Sequence, residues 1–321
     1  MGGWTQNASA EASSAPAPVQ YFPAGAVWTQ DVSKAAVDPK SSTIINSLAQ
    51  AGGWGTGSMR VDFSIRVMEA NASTPMVPFK RAAVFYTPDS DVVSSVPLPK
   101  GGGMEGQTGY QCPVTQQDCH YIVVNNATGK LYEGYGANYN GSALSASILA
   151  VWDLDKVYPA SGRGDQCTSA DAAGYPIAPL LFTADELARG QINHAIRFIL
   201  PNSEIRAGVF VNPATHAGAP KGSVTDPPYG AHLRLKASFN VSQLKPAARV
   251  VAEALQKYGM FLADGGNIAL TAQSDKDTQT KYANVDFESN DLSSLKVTDF
   301  EVVTMPATIP LTYDCVRNNI P

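Results

Sequence analysis

Charged residues are scarce in this sequence, and no cluster of basic residues occurs in it. Asp, Glu, Lys and Arg make up 16% of the chain, against about 25% in an average soluble protein. The net charge is -5 and the isoelectric point is about 5.4, whereas nucleic-acid binding is driven by clustered Lys and Arg that release counterions. We therefore expect no nucleic-acid partner.

Long apolar stretches are also missing. The longest, at residues 146–151 and 195–200, are far shorter than the roughly 20 residues that cross a bilayer as a helix. The sequence therefore predicts no membrane insertion. A surface that is polar through Ser, Thr, Asn and Gly rather than through charge suits an extracellular protein.

Only four cysteines are present, and four cysteines allow three pairings. Cys112 and Cys119 flank a short loop, where a local disulfide would close a hairpin-like turn, and Cys167 would then pair with Cys315. A zinc site is the weaker alternative, because neither pair has the CxxC spacing and the only adjacent histidine is His120. Paired cysteines predict a secreted, extracellular protein.

Five Asn-X-Ser/Thr sequons occur, and none has proline in the middle. They begin at Asn7, Asn71, Asn126, Asn140 and Asn240. In a eukaryotic secreted chain they would be acceptors of N-linked glycans and the chain a glycoprotein. In a bacterial chain they would be no more than polar loops, and both alternatives stay open.

The chain divides into a short leading segment and one large folded unit. Residues 6–20 are small, polar and proline-containing, which is typical of a flexible tether. We therefore predict a flexible segment over residues 1–20 and a single globular domain over residues 21–321. Two closely packed subdomains are the alternative, given the length of the chain.

Short β-branched or aromatic runs bounded by Gly, Pro, Asn or Asp recur along the chain and predict strands. The runs lie at residues 60–68, 81–86, 120–124, 130–135, 146–154, 195–200, 206–211, 232–239 and 299–304. The sequence thus predicts a mainly β fold, a sandwich or a barrel-like sheet, with a few packed helices. An α+β fold is the alternative.

Three helices are predicted. The first spans residues 42–49, and the second spans residues 183–189, with Thr183 and Glu186 forming a capping box. The third spans residues 246–258 and ends at Gly259. Its apolar face, expected to pack on the sheet that carries residues 232–239, contains Val250, Val251, Ala254 and Leu255.

Several segments carry a family resemblance. They are CTSADAAGYPIAPLLFTADELARGQINHAIRFILP, VFVNPATHAG, PPYGAHLRLKASFNVS and KYGMFLADGG. They resemble a widespread group of secreted bacterial proteins with motifs such as SADAAGLPI, HALRF, WPAxH, RLKASFD and ADNG, and the resemblance covers about residues 26–266. It implies secretion but no activity. Asn212 replaces the usual tryptophan and His232 the usual arginine, so stacking of a ring at the first of these positions is not expected.

Few side chains are available for chemistry, since the chain has four histidines. His194 and His216 lie in segments that carry the resemblance, and His120 lies within the range that it covers. No two of the three have the spacing that places two ligands on one strand or helix face. We therefore expect no metal and no cofactor. The alternative role of each ring is structural.

Glu133 and Asp153 are the sharper catalytic candidates. Each lies in an aromatic-rich strand, where burial would raise the pKa of a carboxyl group so that it serves as an acid. Two carboxyls that flank a glycosidic bond form a hydrolase pair, and Tyr132 and Trp152 would stack on the sugar. The alternative is that strand alternation places both acids on a solvated face.

His194 is the third acid/base candidate, and Arg197, His216 and Asp264 are candidate substrate-binding residues. Alternation in a strand would place His194 and Arg197 on opposite faces, so both line one cleft only if the strand twists or bulges. The simpler alternatives are that Asp171 and Asp264 form turns beside glycine. Likewise, Arg197, Arg234 and Lys236 would simply face water.

These residues predict a secreted carbohydrate-active enzyme that cleaves a polysaccharide by hydrolysis or elimination. The alternative is a non-catalytic surface or matrix protein that binds a glycan or assembles with itself. An enzyme should gather Glu133, Asp153 and a histidine around one pocket, whereas a binding protein should show aromatic rings without clustered acids.

Overall fold

The structure is a computed structural model that describes residues 21–82, 87–112 and 118–318. The predicted tether over residues 1–20 and most of the strand predicted at 81–86 lie outside the described residues.

Short strands dominate the described chain, as the sequence predicted. They are β1 (Val61–Ile65), β2 (Met68–Ala70), β3 (Met76–Arg81), β4 (Ser95–Pro97), β5 (Tyr121–Asn125), β6 (Lys130–Tyr135), β7 (Asn138–Tyr139), β8 (Leu144–Ala146), β9 (Ile148–Asp153), β10 (Ile196–Leu200), β11 (Val209–Phe210), β12 (His232–Leu235), β13 (Met260–Gly265), β14 (Leu270–Gln273), β15 (Phe300–Val302) and β16 (Ile309–Pro310). A mainly β fold is therefore confirmed.

Within these described ranges, three α-helices accompany the strands: α1 (Ser41–Gln50), α2 (Ala184–Arg189) and α3 (Pro246–Lys257). Short 3-10 turns lie at Val27–Thr29, Ala178–Leu180, Asn202–Glu204, Val241–Gln243, Tyr282–Val285 and Val297–Asp299. All three predicted helices are present, and α2 begins with the predicted capping box between Thr183 and Glu186. None of the helices in the described part of the chain combines the length and apolarity that a bilayer crossing requires.

A six-stranded mixed sheet forms the centre of the molecule, in the order β1-β14-β10-β13-β12-β15. Its pairs β1–β14 and β10–β13 are parallel, and its other pairs are antiparallel. The predicted face of α3 is largely buried, with Val251, Ala254 and Leu255 in the core, and α3 packs on β12 as expected.

Two four-stranded sheets, β2-β5-β6-β9 and β4-β3-β8-β7, and the small pair β11-β16 complete the fold. In β5, Ile122 and Val124 belong to the main core, whereas Tyr121 and Val123 belong to a second core shared with the sheet of β3 and β8. The first four-stranded sheet therefore separates two cores. None of the sheets formed by the described residues closes into a barrel.

Both predicted disulfides are present. Cys112 is bonded to Cys119, and Cys167 is bonded to Cys315. The second bond ties the C-terminal segment, which includes β16, to the loop that precedes the SADAAG motif.

Candidate functional site

The two predicted catalytic carboxylates lie on opposite faces of one sheet. In the register between β6 and β9, Glu133 is opposite Ala150, and Asp153 is opposite Lys130. Side chains alternate along a strand, so Lys130 and Glu133, three residues apart, point to opposite faces of the sheet. Asp153 shares the face of its partner Lys130. The structure therefore does not bring the two acids together around one bond.

Glu133 is completely buried, and both of its oxygens are hydrogen-bonded. Oε1 accepts the backbone N–H groups of Ile177 at 2.8 Å and Ala178 at 2.9 Å, and Oε2 accepts the indole N–H of Trp152 at 3.0 Å. Burial raises the pKa of Glu133 to about 7, although these donors oppose the shift. The side chain attaches the Ala178–Leu180 turn to the sheet and has no exposed surface for a substrate.

Asp153 is half-buried and forms an ion pair with Lys130 at 2.7 Å. The hydrogen bond from Lys130 lowers the pKa of Asp153, so this side chain stays ionised near neutral pH. Tyr132 shares its sheet face, whereas Trp152 is buried on the other face, edge to face with Tyr158 at 5.0 Å. The two predicted sugar-stacking rings are therefore separated as well.

His194 lies between α2 and β10 and contacts an acceptor through each ring nitrogen. Nδ1 is 2.8 Å from the carbonyl oxygen of Ala195, and Nε2 is 3.2 Å from Oε1 of Glu186. Burial lowers the pKa of His194, but the Glu186 carboxylate outweighs this effect, and the net pKa is raised. A protonated ring satisfies both contacts, because an imidazolium donates from both nitrogens.

Glu186 also takes part in the capping box of α2. Its Oε2 accepts the backbone N–H of Thr183 at 2.9 Å and the Thr183 hydroxyl at 3.0 Å, and the Thr183 hydroxyl accepts the Glu186 N–H at 3.2 Å. Both carboxylate oxygens are thus occupied. The pair formed by His194 and Glu186 is a complete ion pair at the start of a helix.

A cavity of about 300 Å³, here called the His194 cavity, lies beside this ion pair. Its walls come from residues 21–30 and from the segment around His194. The lining combines aromatic rings with polar side chains: Tyr21, Phe22, Trp28, Thr29, Gln30, Asn193, Glu186 and His194. Phe22 and Trp28 meet edge to face, with ring centroids 5.1 Å apart.

Several polar groups of the lining have hydrogen-bonding capacity to spare. Among the described residues, the buried indole N–H of Trp28 has no partner. Oδ1 of Asn193 accepts from Gln191 at 2.6 Å, and Nε2 of Gln30 donates to Ala26 at 3.4 Å. Nδ2 of Asn193 and Oε1 of Gln30 therefore remain available to a ligand.

Arg197 does not line this cavity and lies instead in a buried polar cluster on the six-stranded sheet. Its Nη2 donates to Oδ1 of Asp171 at 2.6 Å and lies 3.6 Å from Oδ2 of Asp264, while Nη1 donates to the Thr271 hydroxyl at 2.8 Å. The expectation that this arginine faces water is therefore wrong. His194 and Arg197 lie in different places, and strand alternation does not apply to the pair because His194 precedes β10.

The two aspartates around Arg197 differ in exposure. Asp171 is completely buried, and burial raises its pKa to about 7 against the opposing charge of Arg197. Asp264 is half-buried, and burial also raises its pKa. Asp264 lies near the end of β13 rather than in a turn, and it accepts the N–H of Gly265 at 2.7 Å. Asp171 begins a turn closed by the Gly174 N–H at 2.9 Å, and its Oδ2 has no partner among the described side chains and backbone.

The other predicted cations are also engaged. Arg234 is buried and paired with Glu301 at 2.5 Å, which contradicts a solvated role. Lys236 is half-buried and donates to the carbonyl oxygen of Thr298 at 2.7 Å. Both side chains connect β12 to the segment around β15.

A second histidine–carboxylate pair was not predicted. Nδ1 of His120 is 2.5 Å from Oε2 of Glu105, and Nε2 is 3.0 Å from the carbonyl oxygen of Ala170. Burial lowers the pKa of His120, but Glu105 outweighs it and the pKa rises to about 9. Oε1 of Glu105 accepts the Ser64 hydroxyl at 2.9 Å, so the carboxylate lies between the serine and the histidine. In a catalytic triad the histidine lies between the serine and the carboxylate, so Ser64 is not placed as a nucleophile.

His120, His194 and His216 are not grouped closely enough in the described chain to share one metal ion. His216 faces the carbonyl oxygen of Ala172 at 3.0 Å and the ring of Tyr313, and burial lowers its pKa. Over residues 21–82, 87–112 and 118–318, the one group of side chains close enough to share an ion is Asp89 with Cys167 and Cys315. These two sulfurs are bonded to each other, so they are not free to act as thiolate ligands.

No protein-family model, curated protein or solved structure matches this chain. What the site can do therefore follows from its own geometry.

Proposed function

We propose that this is a secreted protein that binds a glycan by accommodating a neutral sugar unit in the His194 cavity. The observation that carries the proposal is a cavity of about 300 Å³ in which aromatic rings lie next to amide side chains. Ligand sites of this kind combine a largely apolar lining with a few polar groups that orient the ligand. Aromatic rings supply the apolar surface, and the amides supply donors and acceptors for hydroxyl groups.

The charges of the lining favour a neutral ligand. The imidazolium of His194 is matched by the carboxylate of Glu186, and the hydrogen-bonding atoms of both are engaged within the protein. A charged sugar would find no unpaired charge among the described lining residues, and its desolvation on entering would be unfavourable. Donors and acceptors for hydroxyl groups come instead from the exposed amides of Gln30 and Asn193.

The same lining favours binding over hydrolysis. Glycoside hydrolysis normally requires two carboxyl groups around the scissile bond. Among the described lining residues, Glu186 is the one carboxyl, and its oxygens cap a helix and hold His194. An acid that changes its protonation during turnover would lose these contacts.

The test is a calorimetric titration of the protein with a panel of neutral monosaccharides and short oligosaccharides. Asn193→Ala and Gln30→Ala should each weaken binding about two- to tenfold, which corresponds to one lost hydrogen bond. Asn267→Ala removes an exposed amide outside the cavity lining and should leave the affinity unchanged. Equal affinity in all three variants, or no binding by any sugar of the panel, would reject the proposal.

A hydrolase is the second candidate, and one observation favours it. Asp171 and Asp264 share one guanidinium, and the pKa of each is raised, as expected for carboxyls in acid/base roles. In that case Asp264→Asn should abolish release of reducing ends from a polysaccharide panel without unfolding the protein, and Asp286→Asn, at an exposed carboxyl, should not. Unchanged turnover in Asp264→Asn would remove this candidate.

A further inference from the structure

Three of the sequons share one local geometry. At Asn71, the side-chain Oδ1 accepts both the backbone N–H of Ser73 at 2.9 Å and the Ser73 hydroxyl at 2.7 Å. The third residue of the sequon thus folds back onto the first. This arrangement is an Asx turn with an added hydroxyl contact.

The same contacts recur at the other two Asn-X-Ser sites. Oδ1 of Asn140 accepts the N–H and the hydroxyl of Ser142 at 3.0 and 2.9 Å. Oδ1 of Asn240 accepts those of Ser242 at 3.1 and 2.7 Å. The three sites lie in separate loops, after β2, between β7 and β8, and at the start of the Val241–Gln243 turn.

This geometry presents the side-chain nitrogen for modification. Asn71, Asn140 and Asn240 are all exposed, and the turn occupies Oδ1 while Nδ2 points away from these contacts. Because every contact spans only two residues, the turn needs no distant part of the fold and can form in a newly made chain.

The fourth described sequon, at Asn126, differs. Here the preceding residue makes the turn, since Oδ1 of Asn125 accepts the N–H of Ala127 at 3.1 Å. The N–H of Thr128 bonds to the carbonyl oxygen of Asn125, and Nδ2 of Asn126 donates to Glu69 at 3.4 Å. Asn126 is therefore held in the middle of a competing turn, and its reactive nitrogen is engaged.

We infer that Asn71, Asn140 and Asn240 are N-glycosylation acceptors and that Asn126 is a poor one. The inference rests on the secretion part of the proposed function and not on sugar binding in the His194 cavity. The donor class is an oligosaccharide carried on a lipid diphosphate. The asparagine Nδ2 forms a bond to C1 of the sugar, the bond between C1 and the phosphate oxygen breaks, and the lipid diphosphate leaves with the electron pair. The displaced Nδ2 proton passes to a base of the transferase.

The experiment is site-resolved mass spectrometry of the full chain secreted from a eukaryotic host. A sequon appended at the C-terminus reports entry into the glycosylation pathway, and only chains with that site occupied are scored. Glycan removal in ¹⁸O-labelled water marks each occupied asparagine. Occupancy in the majority of chains at the three sites and in a minority at Asn126 is expected. Equal occupancy at all four sites, or empty Asn71, Asn140 and Asn240, would overturn the inference.

A variant tests the cause of the difference. Asn125→Ala removes the side-chain contact to the Ala127 N–H, which weakens the competing turn, and should raise the occupancy of Asn126 towards that of the other sites. Ser73→Thr keeps the hydroxyl and should retain the glycan at Asn71. Since Asn125 is buried, the disulfides of the secreted variant are mapped to show that the scored chains are folded. Unchanged occupancy at Asn126 in folded chains would contradict the role of the turn. The sugar titration of the unglycosylated protein is a separate measurement, so either proposal can fail alone.

Discussion

Nε2 of His194 lies 3.2 Å from Oε1 of Glu186, and this contact joins the first turn of α2 to the segment that enters β10. Because the same carboxylate also accepts both donors of Thr183, one side chain closes the capping box and holds the histidine. The His194 ring is therefore part of the framework of the cavity that it lines.

The first prediction concerns the stability of His194→Ala. The substitution leaves one oxygen of the buried Glu186 without its partner, which should lower the free energy of unfolding by about 1 to 3 kcal/mol. Urea unfolding measures the loss. Asn193→Ala is the matched control, because its side chain is exposed, and it should change stability by less than about 0.5 kcal/mol. An unchanged His194→Ala protein would restore the catalytic interpretation of this histidine.

The second prediction is a pH dependence that arises from His120. Its pKa is about 9 in the folded protein and near 6.5 in an unfolded chain. The folded state therefore binds the proton more tightly. The resulting stabilisation is complete below about pH 6.5 and is lost as the pH rises through about 9.

Unfolding measured from pH 6 to 10 for the protein and for His120→Gln checks this. The difference in stability between the two should shrink as the pH rises, because the variant cannot bind the proton. A difference that stays constant over this range would show that the ion pair with Glu105 does not titrate there.

Local signals explain what the sequence predicted well. The strand at 130–135 matches β6, and the capping box begins α2 at the expected residue, because alternation and capping depend on neighbours a few residues apart. Strands β13 and β14 were missed. They lie side by side with β10 in the middle of the sheet, and buried strands such as these lack the polar alternation that marks a half-exposed strand.

The polar cluster could not be predicted for a different reason. Asp171, Arg197 and Asp264 come from three distant segments, and a charged residue inside a strand looks the same in sequence whether it faces water or a buried partner. Likewise, Glu133 and Asp153 occupy similar aromatic surroundings in sequence. Only the register between β6 and β9 reveals that they lie on opposite faces.

The third prediction concerns the face of α3. Leu255 is fully buried in the main core, so Leu255→Ala should cost about 2 to 4 kcal/mol through lost contacts and a residual cavity. Glu253→Ala on the exposed side of the same helix is the control and should change little. A loss of less than about 0.5 kcal/mol for Leu255→Ala would mean that the helix contributes little to the core.

The last prediction compares the two disulfides. They close loops of very different length, since Cys167 and Cys315 are 148 residues apart, whereas Cys112 and Cys119 are 7 apart. In the chain-entropy description, the longer loop restricts the unfolded chain more, and the difference is about 2 to 3 kcal/mol. Replacing both cysteines of a pair with serine avoids a free thiol, so the variants are Cys167→Ser with Cys315→Ser and Cys112→Ser with Cys119→Ser. The variant without Cys167 and Cys315 should be the less stable in urea unfolding.

Loss of the Cys167–Cys315 disulfide should also loosen the C-terminal segment, where Arg317 pairs with Asp91 at 2.5 Å. Hydrogen exchange over residues 309–318 should therefore accelerate in that variant alone. Equal stability of the two double variants would show that contacts along the C-terminal segment, rather than the covalent bond, hold it in place.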